Sequence, residues 1–195
     1  LVGSEMCIRD SVNSLGLKDE NGTLLTLDAD GNGSLKEYVK RVVMESAQRA
    51  LDGDADLSDK TWLNIANGKV QSMDFTAYVK DITRMKTAPA FDALDLESPE
   101  NDLFGNETTN CRHFTEYSTA NTKVQGACAE AEVVKMLNPM EYVMDEKAKK
   151  AHHFRIRHGE CDRDTSLVIS AMLVLKLREA GCEVDYHCLL YTSPS

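Results

Sequence analysis

The 195-residue chain carries 22 lysines and arginines against 32 aspartates and glutamates, for a formal net charge of −10 with neutral histidines. That acidic balance excludes nucleic acid and an anionic membrane surface as expected partners. No apolar run approaches the roughly 20 residues that span a bilayer.

In chain order, residues 1–11 come first and resemble translated sequencing-adapter read-through rather than native sequence, so they are set outside the fold reasoning. Asp28, Asp30 and Asn32, with Gly33 and Leu35 behind them, place oxygen donors at positions 1, 3 and 5 of a calcium-type loop, a glycine at 6 and an apolar residue at 8. Position 12 is Val39 where a bidentate glutamate belongs, and the same residues make a polar turn before a helix. The turn is the favoured reading. A calcium-binding or scaffolding module without catalysis is the alternative class.

Leu35, Tyr38, Val39, Val42, Val43 and Ala50 recur at three- and four-residue steps, which predicts an amphipathic helix of about four turns. Ser34 is its expected N-cap, with Glu37 completing a capping box. Trp62–Ile65 and Val70–Met73 flank Asn67-Gly68, a tight-turn pair that predicts a hairpin. A second helix follows, with Phe75, Tyr78, Val79 and Ile82 on one face and Asp74 near its start. Residues 86–130, rich in Asn, Thr, Ser and Asp, read as a long irregular connection whose scattered aromatics Phe91, Phe104, Phe114 and Tyr117 pack against something.

Glu130–Leu137 reads as a short helix and Phe154–Arg157 as a strand. Ser166–Ala180 reads as a helix capped by Asp164 or Thr165 with Gly181 past its end, and Glu183–Tyr186 as another strand. Strand, acidic loop, helix and strand make a βαβ unit of a parallel sheet. Residues 188–195 resemble adapter read-through again. Leaving out Cys7 and Cys188, the cysteines Cys111, Cys128, Cys161 and Cys182 are widely spaced with no CxxC pair, so no zinc framework is expected. Four scattered thiols favour a reducing compartment such as the cytoplasm, and with a leader peptide not in view the compartment stays open. No cofactor is expected.

His158-Gly159-x-x-Asp162 is the constellation with chemistry in it. A glycine turns the backbone off the strand end, and the carboxylate three residues later lies over the sheet's carboxyl edge. There it can accept from the Nδ1–H of a histidine and hold that ring as a general base. On local pattern alone two readings stand: a triad acid, or an Asp162 that pairs with Arg155 or Arg157 while Asp164 caps the helix.

Four stretches carry a wider resemblance: Arg84-Met85-Lys86-Thr87-Ala88-Pro89-Ala90-Phe91-Asp92-Ala93-Leu94-Asp95, Glu100-Asn101-Asp102-Leu103-Phe104-Gly105, Asn138-Pro139-Met140 and Arg155-Ile156-Arg157-His158-Gly159. Over residues 13–186 the chain resembles the bacterial tannases of subtype B, which are α/β-hydrolases with a helical lid. The resemblance implies a partial α/β-hydrolase: a mostly helical lid or cap over 12–85, a substrate-binding loop region over 86–130, and the C-terminal part of the hydrolase core over 131–187. It implies Asp162 as the triad acid, and Lys86, Glu100 and Asp164 as partners of the phenolic hydroxyls of a galloyl ring. The expected ligand is a small phenolic ester; a feruloyl or other carboxylesterase of the same fold is the neighbouring alternative.

Two departures bear on activity. No Gly-x-Ser-x-Gly nucleophile elbow occurs in the sequence. The family's catalytic histidine is expected after the last strand, where His187 sits at the junction with read-through, and His113, His152 and His153 lie upstream of the acid. The chain alone is therefore expected to be inert toward esters.

Overall fold

The computed structural model describes residues 12–82, 89, 91–160, 162 and 165–190. The chain divides into two compact units, residues 1–83 with 149–195, and residues 84–148. Among the described residues the elements in chain order are α1 (Ser34–Asp52), β1 (Leu63–Ala66), β2 (Lys69–Met73), α2 (Phe75–Asp81), α3 (Pro99–Leu103), α4 (Glu116–Ala120), α5 (Ala131–Leu137), α6 (Met140–Val143), β3 (His153–Gly159), α7 (Leu167–Glu179) and β4 (Glu183–Leu189). No described helix is long and apolar enough to cross a membrane.

In the first unit α1 buries Leu35, Tyr38, Val39, Val42 and Val43 of the expected stripe at no more than 7% exposure, with Ala47 joining them and Ala50 only partly buried. Each large apolar side chain so buried contributes roughly 1.5–3 kcal/mol of transfer free energy. The expected capping box does not form. The N-cap is Gly33, with no side-chain cap hydrogen bond. Ser34 Oγ accepts instead from the Thr26 backbone N–H at 2.9 Å, and Glu37 pairs with Lys40 at 2.8 Å. Gly33 has φ +124°, and a Cβ there would lie 2.5 Å from the Thr26 carbonyl oxygen. The chain crosses itself too closely at that point for any side chain, and the neighbouring serine is recruited to the crossing rather than to the helix.

β1 and β2 form the expected antiparallel hairpin. Asn67 and Gly68 both take positive φ, 53° and 69°, as a primed two-residue turn requires. The register passes from Asn64↔Ser72 to Ile65↔Val70, so Gln71 is the extra residue of a bulge. Gln48 ties α1 to this turn, donating to the Gly68 carbonyl at 3.1 Å and accepting from Val70 N–H at 2.9 Å. The Asp74 side chain caps α2 by accepting from Ala77 N–H at 3.0 Å. On α2, Tyr78 is buried edge-on against Trp62, with ring centroids 4.9 Å apart, but Val79 is 48% exposed. One short helix has room to bury only part of the face the sequence offers.

β3 and β4 pair in parallel, from His153↔Glu183 to Gly159↔Leu189, with α7 between them in the chain. The strand–helix–strand unit is thus present. Its helix is capped by Ser166, whose Oγ accepts from Val168 N–H, rather than by Asp164 or Thr165. β4 continues three residues beyond Tyr186, and Cys188 and Leu190 are 4% and 2% exposed. α7 packs on both strands and α1 on β4, where Ser46 Oγ of α1 accepts from Cys188 N–H at 3.2 Å. One apolar cluster therefore runs from Leu17 and α1 through Trp62 and Tyr78 to α7 and β4.

The second unit differs from its expectation as an irregular connection. Among the described residues of 86–130 there are two short helices, α3 and α4, while α5 is the short helix expected over Glu130–Leu137. Phe104 and Phe114 stack at 4.1 Å, whereas Tyr117 is 51% exposed. Its centre is polar. Asp92, Asn101, His113 and Ser118 are each at most 2% exposed.

Candidate functional site

β3 delivers the candidate acid. The strand ends at Gly159, Asp162 N–H donates to the Gly159 carbonyl at 3.1 Å, and the chain turns back toward α7. Asp162 is exposed just beyond the C-terminal end of the parallel strand, and its Oδ1 accepts from Thr165 N–H at 2.9 Å. In a parallel α/β sheet this end of a strand is where ligands and catalytic groups gather. Arg155 and Arg157 both face Asp185 of β4. The glycine itself is not sterically needed: a Cβ on Gly159 would meet nothing within 4 Å, and its φ is not in the left-handed region. The turn is made by backbone and side-chain hydrogen bonds around Asp162.

Two residues the sequence did not single out, Glu160 and Lys60, support this loop. Glu160 has a side chain only 1% exposed, and Lys60 Nζ lies 3.1 Å from its carboxylate. Burial pushes the Glu160 carboxyl above its ordinary value; Lys60 pulls it back down, and Asp81 and Asp59 push it further up. For Lys60 burial acts downward, yet the Glu160 charge outweighs it and holds the ammonium above its usual value. A buried ion pair thus pins the residue two places before Asp162, and Glu160 N–H also donates to Leu189 O at 2.8 Å. Nothing in a sequence pattern marks a lysine 100 positions away as its partner.

His158 is buried inside β3. Its Nδ1 lies 3.2 Å from Ser170 Oγ, which is 2.9 Å from Tyr186 Oη and donates to Leu167 O at 2.9 Å. Burial pushes the Tyr186 phenol up, so it stays protonated at neutral pH. Ser170 back-bonds to its own helix, and the trio ties α7 to both strands. His187 sits on β4 opposite Arg157, with its Nε2 2.8 Å from Asp185 Oδ1. Burial first, then Arg49 and Arg157, push its imidazole below the ordinary histidine value.

In the second unit Glu100 is half-buried in the first turn of α3, within hydrogen-bonding contact of the N-cap Ser98 hydroxyl. Lys86 and Asp164 lie outside the described residues. His113 is wholly buried, with Nδ1 2.7 Å from Asp92 Oδ1 and Nε2 2.9 Å from Thr122 Oγ1. Asp92 also accepts from Asn101 Nδ2 and from Phe114 N–H, Thr115 N–H and Thr115 Oγ1, all within 2.9 Å. Burial alone would push its carboxyl up. The converging donors, Thr115 and His113 foremost, outweigh that and hold it below the usual carboxylate range. This dyad is sealed from substrate and organises the fold.

The calcium-type loop is a turn stabilised from within. Asp28 Oδ1 accepts from Asp30 N–H at 2.9 Å and from Asn32 N–H at 2.8 Å, and Asn32 Oδ1 accepts from Lys36 Nζ. Val39, at loop position 12, is 3% exposed and faces the apolar core.

No protein-family model matches the chain, and no curated protein matches it significantly. Among solved structures, a tannase from Lactobacillus plantarum is 37% identical with TM-score 0.91, over 96% of this chain and 40% of that one. Fusobacterium nucleatum tannase is 40% identical with TM-score 0.85, over 93% of this chain and 39% of that one. A tannin acyl hydrolase in complex with ethyl gallate is 37% identical with TM-score 0.90, over 96% of this chain and 41% of that one. In sequence and fold the chain resembles a tannase along nearly its whole length, and it spans about two fifths of the length of these relatives.

Proposed function

We propose that this chain, similar throughout to about two fifths of a tannase, is part of a serine carboxylic-ester hydrolase that cleaves galloyl or related hydroxyaromatic esters through an acyl-enzyme. The observation that carries the reading is an exposed carboxylate, Asp162, at the C-terminal end of a parallel strand, in a chain 37% identical to tannases over 96% of its length. In this reading Asp162 accepts from a histidine Nδ1–H and stabilises the imidazolium formed as the ring takes the serine proton. The serine, the histidine and the oxyanion donors belong to parts of the protein outside this sequence. Residues 12–85 are the helical cap, 86–130 the substrate-binding region and 131–187 the C-terminal part of the hydrolase core.

Relatives solved with ethyl gallate and with 3,4-dihydroxybenzoate support a hydroxylated aromatic acyl group as the ligand class. Such a ring offers adjacent O–H donors, which carboxylates accept in charge-assisted hydrogen bonds while an ammonium steadies the oxygens. Glu100 and Asp164 take the first role and Lys86 the second. Rings lacking the hydroxyls are rejected because those charges are then left unsatisfied.

The test is kinetic and uses the intact protein. Asp162→Asn lowers kcat by about four orders of magnitude with KM little changed, because the ring of the base is no longer held in the right tautomer. Full turnover in that variant overturns the assignment. This chain by itself hydrolyses no ester, and turnover above buffer overturns the division of the machinery.

A further inference from the structure

The ends of β3 and β4 opposite Asp162 bring together a second set of chemically competent side chains. His153 opens β3, Glu183 opens β4, and the two are register partners in the parallel pair. His152 stands in the bend before the strand, so its ring is free of the strict alternation of strand side chains. It comes to rest edge-on to the His153 ring, with centroids 4.9 Å apart. Glu183 N–H donates to the His152 carbonyl at 2.8 Å, which fixes the backbone of all three residues to one another. His153 Nδ1 lies 2.9 Å from Glu183 Oε2, and His152 Nε2 lies 3.9 Å from Glu183 Oε1. One donor atom from each residue falls within 4.8 Å of the other two.

We propose that His152, His153 and Glu183 form a binding site for a divalent transition-metal ion, of the class that prefers imidazole nitrogen with one carboxylate: zinc, nickel or copper rather than calcium or magnesium. Bonds of about 2.0–2.2 Å to a tetrahedral ion put donor atoms about 3.3–3.5 Å apart. The present spacing closes to that by side-chain rotation alone, since the three side chains are 65–72% exposed while their backbones are held by strand pairing. The exposure also leaves the remaining coordination positions to water. Neutral His153 ligates through Nδ1 with its proton moved to Nε2 by exchange with solvent, so binding needs no net chemistry. The site lies about 20 Å along β3 from the Asp162 loop, taking six residue steps of about 3.3 Å. It is therefore independent of the ester-hydrolase reading. Its consequence is mechanical: an ion there staples the starts of the two parallel strands.

The probe is nickel, which discriminates in favour of imidazole over thiols, among them Cys111, Cys128, Cys182 and Cys188, free among the described residues. Isothermal titration of the full chain is expected to give one ion bound per chain with micromolar affinity. His153→Ala and Glu183→Gln each weaken it by about tenfold or more, and His187→Ala on the same strand leaves it within about twofold. Because the altered side chains are exposed, folding is preserved, and a melt of each variant checks that. Nickel is expected to raise the melting temperature of the parent chain and not that of His153→Ala. Absence of binding heat, or binding indifferent to His153 and Glu183, overturns the site.

Discussion

Replacing Asp92 by alanine removes the acceptor on which five hydrogen bonds converge: those from His113 Nδ1, Asn101 Nδ2, Phe114 N–H, Thr115 N–H and Thr115 Oγ1. Each donor stranded in the interior costs at least about 1 kcal/mol, which sets a sum near 5 kcal/mol. Water entering the space vacated by the carboxylate recovers part of that. The expected loss is about 3–5 kcal/mol, the range found when one partner of a buried charged pair is removed. Since domains are stable by only about 5–15 kcal/mol, the loss brings residues 84–148 near their limit. The assay is amide hydrogen exchange read by peptide mass. Peptides from 91–130 are expected to lose protection by about two to three and a half orders of magnitude, at about 1.4 kcal/mol per decade. Trp62 emission serves as the control, because that tryptophan lies in the other unit, hydrogen-bonded to Asp81 at 2.7 Å. The dependence on pH has a definite sign. The folded carboxyl is held below its unfolded value, so its contribution is fully present above that unfolded value, near about 3.9, and is lost as pH falls through the folded one. Asp92→Asn removes this acid limb as well as the stability. Unchanged protection in the alanine variant would refute the view that this unit is held by a polar centre.

Lys60→Met leaves Glu160 buried without its partner and is expected to cost about 3–5 kcal/mol in urea unfolding followed by Trp62. Lys60→Met with Glu160→Leu recovers most of that loss, and failure to recover would show that the pair is not the cause. Gly159→Ala is expected to be neutral or to stabilise by up to about 1 kcal/mol, since its backbone is ordinary and a Cβ meets nothing, as thermal melts would show. Gly33→Ala instead clashes with Thr26 O, and a melting temperature equal to the parent's would contradict the close crossing. In the intact protein, Glu100→Gln or Lys86→Met raises KM for gallate esters more than for aliphatic esters, and equal losses on both would count against ring recognition.

The elements with an apolar period were readable in the residues. α1 announces itself through Leu35, Val39 and Val42, the hairpin through Asn67-Gly68, and the β3–α7–β4 unit through an alternating strand followed by an apolar helix. Capping was less readable, because Ser34 and Asp164 compete with neighbours whose roles depend on where other chain segments pass. In the second unit only the helix over Ala131–Leu137 was readable, and the rest was not. Its interior is Asp92, Asn101, His113 and Ser118, residue types that a sequence reader assigns to solvent. The candidate acid could be found because strand, turn and carboxylate lie within ten residues. Its support through Lys60 could not, since the pairing spans 100 positions and no local period encodes it.

The apolar face of α1 has a consequence for how the molecule is made. Ser46 meets Cys188, 142 positions away, so the helix emerges from the ribosome long before the strand that covers it. Residues 84–148 are contiguous and can close on their own contacts while the later strands are still being synthesised. The hairpin strand β2 reaches α1 soon after the helix is made, whereas the part of the helix that meets β4 waits 142 residues for its cover. A nascent chain stalled before β4 is the form that trigger-type chaperones would be expected to hold.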